Sequence, residues 1–269
     1  MATHYLIACS NRKAEVASRD LEWGTETTVA GWSEAWGAAI DGGSPAREMY
    51  VGDSFSKQCR MIEERPEGGC IWIVSAGGGL LKTTDVIPSY QSTFTGRGPS
   101  AEQWGELPHG GLERIPISEG DRVVLCLPEP YQKAVAMDDL WEELSDVAIS
   151  IGPGIVRESC PGSLPTHPRL REVLRCGAMQ IWTNLLEQYL DSDDPHAHFS
   201  QLVDRANELP EKPEREAIGT VEELDSIVDS LPEGITSAGS AVRYIRDELL
   251  RAASQERVAE SWSRRRSGM

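Results

Sequence analysis

No stretch of this 269-residue chain approaches the ~18–20 consecutive apolar residues that a membrane-spanning helix needs. The opening run, Met1-Ala2-Thr3-His4-Tyr5-Leu6-Ile7, lacks the charged start and long apolar core of a secretory signal. The six cysteines, Cys9, Cys59, Cys70, Cys126, Cys160 and Cys176, form no CxxC pair. Several sit inside apolar runs, where cysteine packs as a small hydrophobe. A disulfide framework is therefore rejected, and a cytoplasmic protein with reduced thiols and no membrane partner is expected. Lysine is scarce, and the net charge of −17 opposes non-specific binding to a polyanion. Contact with DNA would need a local basic patch.

The motif absences narrow the chemistry further. There is no GxxxxGK[ST], so a P-loop nucleotidase is not expected, and no GxSxG. There is no HExxH and no cysteine–histidine cluster at zinc spacing. No GxGxxG opens a helix. The side chains on offer are carboxylates, hydroxyls, an amide and tyrosines, with no cofactor or metal implied.

Four apolar runs read as buried strands: His4 to Cys9, Cys70 to Ala76, Asp121 to Leu127 and Asp146 to Gly152. Helical patterns alternate with them, one from about Ser44-Pro45 to Ile62, interrupted at Gly52-Asp53, and one from Pro128 to about Leu144. This alternation predicts an α/β fold, a mainly parallel sheet flanked by helices (Rossmann-like). Residues 20–44, with Trp23, Trp32 and Trp36, read as a long loop with one helical turn near Ser33 to Ile40, and 91–118 as an irregular excursion suited to a lid or a substrate-binding loop. From Pro168 the periodicity turns helical, with helices at about 168–190, 196–208, 220–231 and 238–259. The expected division is an α/β catalytic core over 1–165 and a helical C-terminal part over 166–269.

The chain's strongest site signal is the run Cys70-Ile71-Trp72-Ile73-Val74-Ser75-Ala76-Gly77-Gly78-Gly79, followed by Lys82, Asp85 and Tyr90. A strand that ends in glycine lets backbone approach a ligand at the carboxyl edge of a sheet. The plainer reading is a glycine loop followed by a capped turn. Ser10 and Asn11, after the first strand, suit either a ligand contact or local backbone bonding. Glu48 and Asp53 are the nearest carboxylates upstream. Arg243 and Arg246 flank the apolar stripe of the last helix, and Ser240 lies at its start, where backbone donors favour phosphate.

Carboxylates and hydroxyls without a metal suit cleavage of an N-glycosidic bond, whose transition state resembles an oxocarbenium ion. The candidate catalytic groups are Asp85, Asp53 and Glu48. The candidate substrate contacts are Ser10, Asn11, Tyr50, Ser75, Gly77, Gly78, Lys82 and Tyr90, and the candidate DNA contacts are Arg243, Arg246 and Ser240.

Leu6-Ile7-Ala8-Cys9-Ser10 with Lys13, Ala46 to Tyr50 with Asp53 and Phe55, Ser75-Ala76 with Gly79-Leu80-Leu81, and Pro88 with Tyr90 occur in an order that resembles the YaaA-like bacterial family. The resemblance covers about the first 95 residues, and Gly77-Gly78 stand where the family frequently has Lys and an aromatic or His. It implies a fold similar to nucleoside- and base-processing proteins. It also implies likeness to the anti-phage DNA glycosylases that remove glucosylated hydroxymethylcytosine. The expectations are, first, a DNA N-glycosylase excising a modified base in phage defence; second, a small-molecule nucleoside or nucleotide N-glycosidase or base exchanger; third, a non-enzymatic DNA-binding stress protein.

Overall fold

A computed structural model describes residues 1–211 and 214–267. The elements are β1 (Thr3–Ala8), α1 (Val29–Ala39), β2 (Ser44–Pro45), α2 (Ala46–Met49), α3 (Asp53–Glu63), β3 (Cys70–Ser75), β4 (Gly79–Lys82), β5 (Val86–Ile87), β6 (Arg122–Cys126), α4 (Glu129–Ala136), α5 (Trp141–Ser145) and β7 (Ala148–Ser150). There follow α6 (Leu170–Val173), α7 (Ile181–Leu190), α8 (Pro195–Asn207), β8 (Glu216–Ala217), α9 (Val221–Asp229), α10 (Ala238–Asp247), β9 (Arg251–Ala252) and α11 (Gln255–Ser267).

The main sheet has the order β4-β3-β1-β6-β7, with only β4 antiparallel to its neighbour. It is a mainly parallel sheet with flanking helices, as the alternating pattern predicts. The central strand β1 is apolar from Tyr5 to Ala8 because helices cover both faces of such a sheet: Leu6 and Ile7 are fully buried. The chain leaves β1 for β3 on one side and returns to β6 on the other. The crevice beyond the carboxyl ends of β1 and β6 is therefore the topological switch point, where such sheets bind ligands. α3 buries Phe55, Gln58, Cys59 and Ile62, an i, i+3, i+4, i+7 stripe, and packs on α7.

Five boundaries differ from the expected ones, the first being that the helix expected from Pro128 to about Leu144 is two, α4 and α5. The region over 20–44 contains the three-turn α1, capped by the Thr28 hydroxyl, which accepts from the Gly31 N–H. Gly31 and Gly37 lower its intrinsic helicity, and burial of Trp32 and Trp36 overrides that. Ser44-Pro45 is a short strand paired with β5, and the helix begins at Ala46 with Pro45 at its N-cap. The helix expected over 168–190 is two, α6 and α7, and the last expected helix is also two, α10 and α11, with β9 between them.

The chain forms two compact units, residues 1–208 and 209–269. The expected division at 165/166 is corrected, because α7 packs on α3 and β6, and α6 packs on α8. Those helices complete the first unit. In the second unit, Leu224, Val228, Ala241, Ile245 and Val258 form a core of their own.

His4 is buried at the start of β1. The Trp72 indole N–H donates to its Nδ1 at 3.0 Å, which puts the proton on Nε2, 3.7 Å from Asp121. Burial lowers the His4 pKa below 6.5, against the opposing pull of Asp121. His109 is lowered in the same direction by burial. The unfolded chain binds more protons than the native one below about pH 6.5, so stability is full above that value and falls as pH drops through it. Urea midpoints are expected to be lower at pH 5.5 than at 7.5. His4→Gln should flatten part of that limb, with His109 supplying the rest.

Candidate active site

A cavity of about 600 Å³ opens at the switch point. Its floor is the loop after β1, Cys9 to Arg12, beside Cys126 and Pro128 after β6. The first turn of α3 contributes Asp53, Ser54 and Phe55. The loop after Tyr90 contributes Thr93, Phe94 and Thr95, and α7 with its preceding turn contributes Met179 and Trp182. Tyr131 on α4 completes the wall. Of the expected site residues, the cavity brings together Ser10, Asn11 and Asp53.

Asp53 is the cavity's carboxylate. It lies in the first turn of α3 with its side chain fully exposed, 3.9 Å from the Arg12 guanidinium. The position suits a negative group, since the N–H groups of a first helical turn point toward it. Ser10 is held by packing: a Cβ on Gly52 would stand 2.1 Å from the Ser10 Oγ, so only glycine allows that approach. The Ser10 hydroxyl accepts from the Arg12 N–H at 3.1 Å, which leaves it able to donate into the cavity. Asn11 is exposed at the mouth.

Behind this floor the structure places Tyr50, Ser75 and Tyr90 in a closed ring of hydroxyls. Tyr50 donates to Ser75 at 3.2 Å, and Ser75 and Tyr90, and Tyr90 and Tyr50, stand 2.6 Å apart. With one proton per hydroxyl, Ser75 then donates to Tyr90 and Tyr90 to Tyr50. Gly78 N–H also donates to Ser75 at 2.9 Å. Lys13 lays its ammonium over the Tyr90 ring, 4.1 Å from the centroid. Burial raises both phenols well above their ordinary pKa and lowers that of Lys13. These three expected contacts come from the end of α2, the last residue of β3 and the loop after β5, and their hydroxyls are spent on one another, with all three side chains buried. Tyr90→Phe breaks the ring and should cost about 1–3 kcal/mol, the usual effect of an orphaned buried partner, seen as a lower urea midpoint.

The glycines after β3 are corrected from ligand contacts to packing positions. β3 and β4 form a hairpin, with Ser75 opposite Gly79, and Gly77 and Gly78 are buried in its turn. A Cβ on Gly77 would stand 2.5 Å from Tyr90, and one on Gly78 3.1 Å from Trp36. Gly79 has φ +84° and leaves no room beside the Gly110 carbonyl. Trp32 caps the turn by donating to the Gly77 carbonyl at 2.7 Å.

Three further expectations fall outside the cavity lining. Asp85 closes the turn after β4, accepting from the Lys82 N–H at 2.7 Å, and pairs with Arg114 at 2.7 Å. Burial raises its pKa, but Arg114 and the Lys82 N–H outweigh this and the net shift is downward. Its carboxylate is thus engaged in structure. Lys82 extends over the Trp72 ring, 5.3 Å from the centroid, and Glu48 is exposed on α2.

In the second unit the expected DNA contacts are largely occupied. Ser240 and Ser237 form a capping box, each hydroxyl serving the other residue's backbone N–H. Arg246 donates to the Ala253 carbonyl at 2.8 Å. Arg215 pairs with Asp247, Arg251 with Glu223, and Arg264 with Asp225, while Arg265 donates to the Val228 carbonyl. Arg243 is exposed on α10. The Arg266 side chain lies outside what the structure describes.

Sequence reasoning missed Tyr131 and Trp182, while Phe94 lies in the 91–118 excursion, a candidate substrate-binding loop by its length and irregularity. The one available signal was Gly152-Pro153-Gly154. A Cβ on Gly152 would stand 2.3 Å from Trp182, and one on Gly154 1.8 Å from the Gln132 amide. Gln132, next to Tyr131, donates to the carbonyls of Leu127 at 2.7 Å and Pro153 at 2.9 Å. That loop thus holds two of the cavity's aromatic walls. Among the described residues, no group of three or more His, Cys, Asp or Glu is placed to hold a metal ion, and no helix is long and apolar enough to cross a membrane.

Residues 38–150 match a family of unknown function, DUF6884. The match spans α3, the Thr93–Thr95 loop and Tyr131, and it leaves out the Cys9 to Arg12 floor and Trp182. No curated protein and no solved structure matches the chain.

Proposed function

We propose that the switch-point cavity binds a base–sugar unit and hydrolyses its N-glycosidic bond. One observation carries this reading: a single cavity holds a carboxylate, Asp53, beside Ser10 and Asn11, with Phe94, Tyr131 and Trp182 as its aromatic walls. Aromatic faces suit the base, and hydroxyl and amide groups suit the sugar. Asp53 stabilises the positively charged sugar or activates the water that adds at the anomeric carbon, while the base leaves with its bonding pair.

The net charge and the local pairing of the second unit's arginines favour a free nucleoside or nucleotide over a polymer. An extruded base is the form in which DNA would reach the same cavity, so modified DNA belongs in the test. The protein is incubated with nucleosides, their 5′-monophosphates, and duplexes carrying cytosine, hydroxymethylcytosine or glucosylated hydroxymethylcytosine. Free base is measured by chromatography and abasic sites by alkaline cleavage. Base release from a small substrate is the expected result. Abasic sites in DNA alone would make the protein a DNA glycosylase. No release from any of these by a folded protein overturns the reading.

A further inference from the structure

Tyr131 is the one phenol of the cavity wall, and its hydroxyl is poorly satisfied. Its only hydrogen-bond partner among the described residues is the Cys9 thiol, at 3.6 Å. Thiols are weak donors and weak acceptors, so the Tyr131 hydroxyl keeps its strong hydrogen-bonding capacity for what enters this ligand-sized cavity. The group is nevertheless rigidly placed. Phe94 packs edge-on against the Tyr131 ring, 5.0 Å between centroids and 89° between planes. The Tyr131 N–H donates to the Pro128 carbonyl at 2.9 Å, and the neighbouring Gln132 ties the start of α4 to the ends of β6 and β7. The nearby Cys9 and burial push the phenol's pKa up, so it remains a proton donor across the working pH range.

A preorganised donor with a weak internal partner discriminates strongly between ligands, because its good hydrogen bond forms only with the matching acceptor. We propose that Tyr131 is the specificity-determining residue of the cavity: it donates to a carbonyl or ring-nitrogen acceptor on the edge of a planar heterocycle, exchanging the Cys9 thiol for that acceptor. The inference rests on the base–sugar reading of the site and adds which residue reads the base.

The test is equilibrium binding of adenosine, guanosine, cytidine and uridine to the full chain by calorimetry. Wild type is expected to prefer some of the four. Tyr131→Phe should weaken the preferred nucleoside about tenfold, the loss of one neutral hydrogen bond, and narrow the preference among the four. A merely structural residue would weaken all alike, as expected for Phe94→Ala. Two substitutions at Cys9 give an independent sign. Cys9→Ser offers the phenol a better internal partner and should weaken the preferred nucleoside several-fold. Cys9→Ala removes the internal partner and should tighten that affinity.

Unchanged affinity and preference in Tyr131→Phe, or equal shifts for Cys9→Ser and Cys9→Ala, overturn the inference and leave the hydrolytic reading standing. Tyr131-dependent binding without base release from any substrate overturns hydrolysis and leaves the inference standing. No binding of any nucleoside by folded wild type overturns both.

Discussion

Asp53→Asn is expected to reduce base release by about 10²- to 10⁴-fold, the range that a positioned carboxylate contributes, while the melting temperature stays close to that of wild type. The two halves of that expectation have separate grounds. The side chain is fully exposed at the cavity mouth, and its contact with Arg12 is a 3.9 Å surface pair, a type that adds little to stability. Its removal disturbs no packing. Asp85→Asn is expected to do the reverse. That carboxylate holds Arg114 and the turn after β4, with 17% of its side-chain surface exposed. Replacing it leaves a partly buried guanidinium without its counter-charge, and the expected cost is about 1–3 kcal/mol. Paired thermal melts and base-release rates on the two variants separate a residue that acts on substrate from one that acts on the fold. If Asp85→Asn lost release at wild-type stability and Asp53→Asn kept it, the carboxylate assignment would be reversed.

The sheet was legible in the sequence because its physics is local. Strands covered on both faces are mostly apolar, and β3, β6 and β7 each fall within an expected run, while β1 starts one residue before its run. The site was legible only in part because its physics is not local. The cavity is assembled from the ends of β1 and β6, the first turn of α3, a loop near 94 and the start of α7. Ser10 and Asn11 could be identified because they follow a strand, and Asp53 because it is one of the nearest carboxylates upstream of the glycine run. Phe94 lies in an irregular loop, but Tyr131 and Trp182 had no mark beyond the Gly152-Pro153-Gly154 turn that holds them.

The glycines after β3 show the ambiguity most clearly. A glycine at a strand end lets something approach the backbone, but the sequence does not say what. Here the approaching groups are Trp32, Trp36 and Tyr90, one of them 45 residues upstream of the carbonyl it caps. The C-terminal arginines raise the same difficulty for charge. A basic stripe reads as a patch until Glu223, Asp225 and Asp247 are seen to pair with Arg251, Arg264 and Arg215, and Arg246 to bond the Ala253 carbonyl, with Arg243 exposed beside them.

The largest loss of stability is expected from Trp32→Ala. Its indole is 1% exposed and packs against Trp23, Trp36 and Tyr90, with ring centroids 5.0–6.3 Å apart. Truncating a buried aromatic of this size costs about 3–5 kcal/mol through lost burial and the cavity left behind. The Gly77 carbonyl, buried in the hairpin turn, would also lose the donor it now has at 2.7 Å. Gly77→Ala attacks the same contact from the other side. The added methyl would meet Tyr90 at 2.5 Å and Trp32 at 3.2 Å, and neither ring can withdraw without disturbing the hydroxyl ring or the tryptophan stack. Overpacking of this kind costs about 1–3 kcal/mol. Urea titrations followed by circular dichroism measure both losses. Base release assayed well below the unfolding transition then decides what the glycine is for. A Gly77→Ala protein that is less stable but still active confirms a packing position. One with wild-type stability and no activity would return this turn to the binding site.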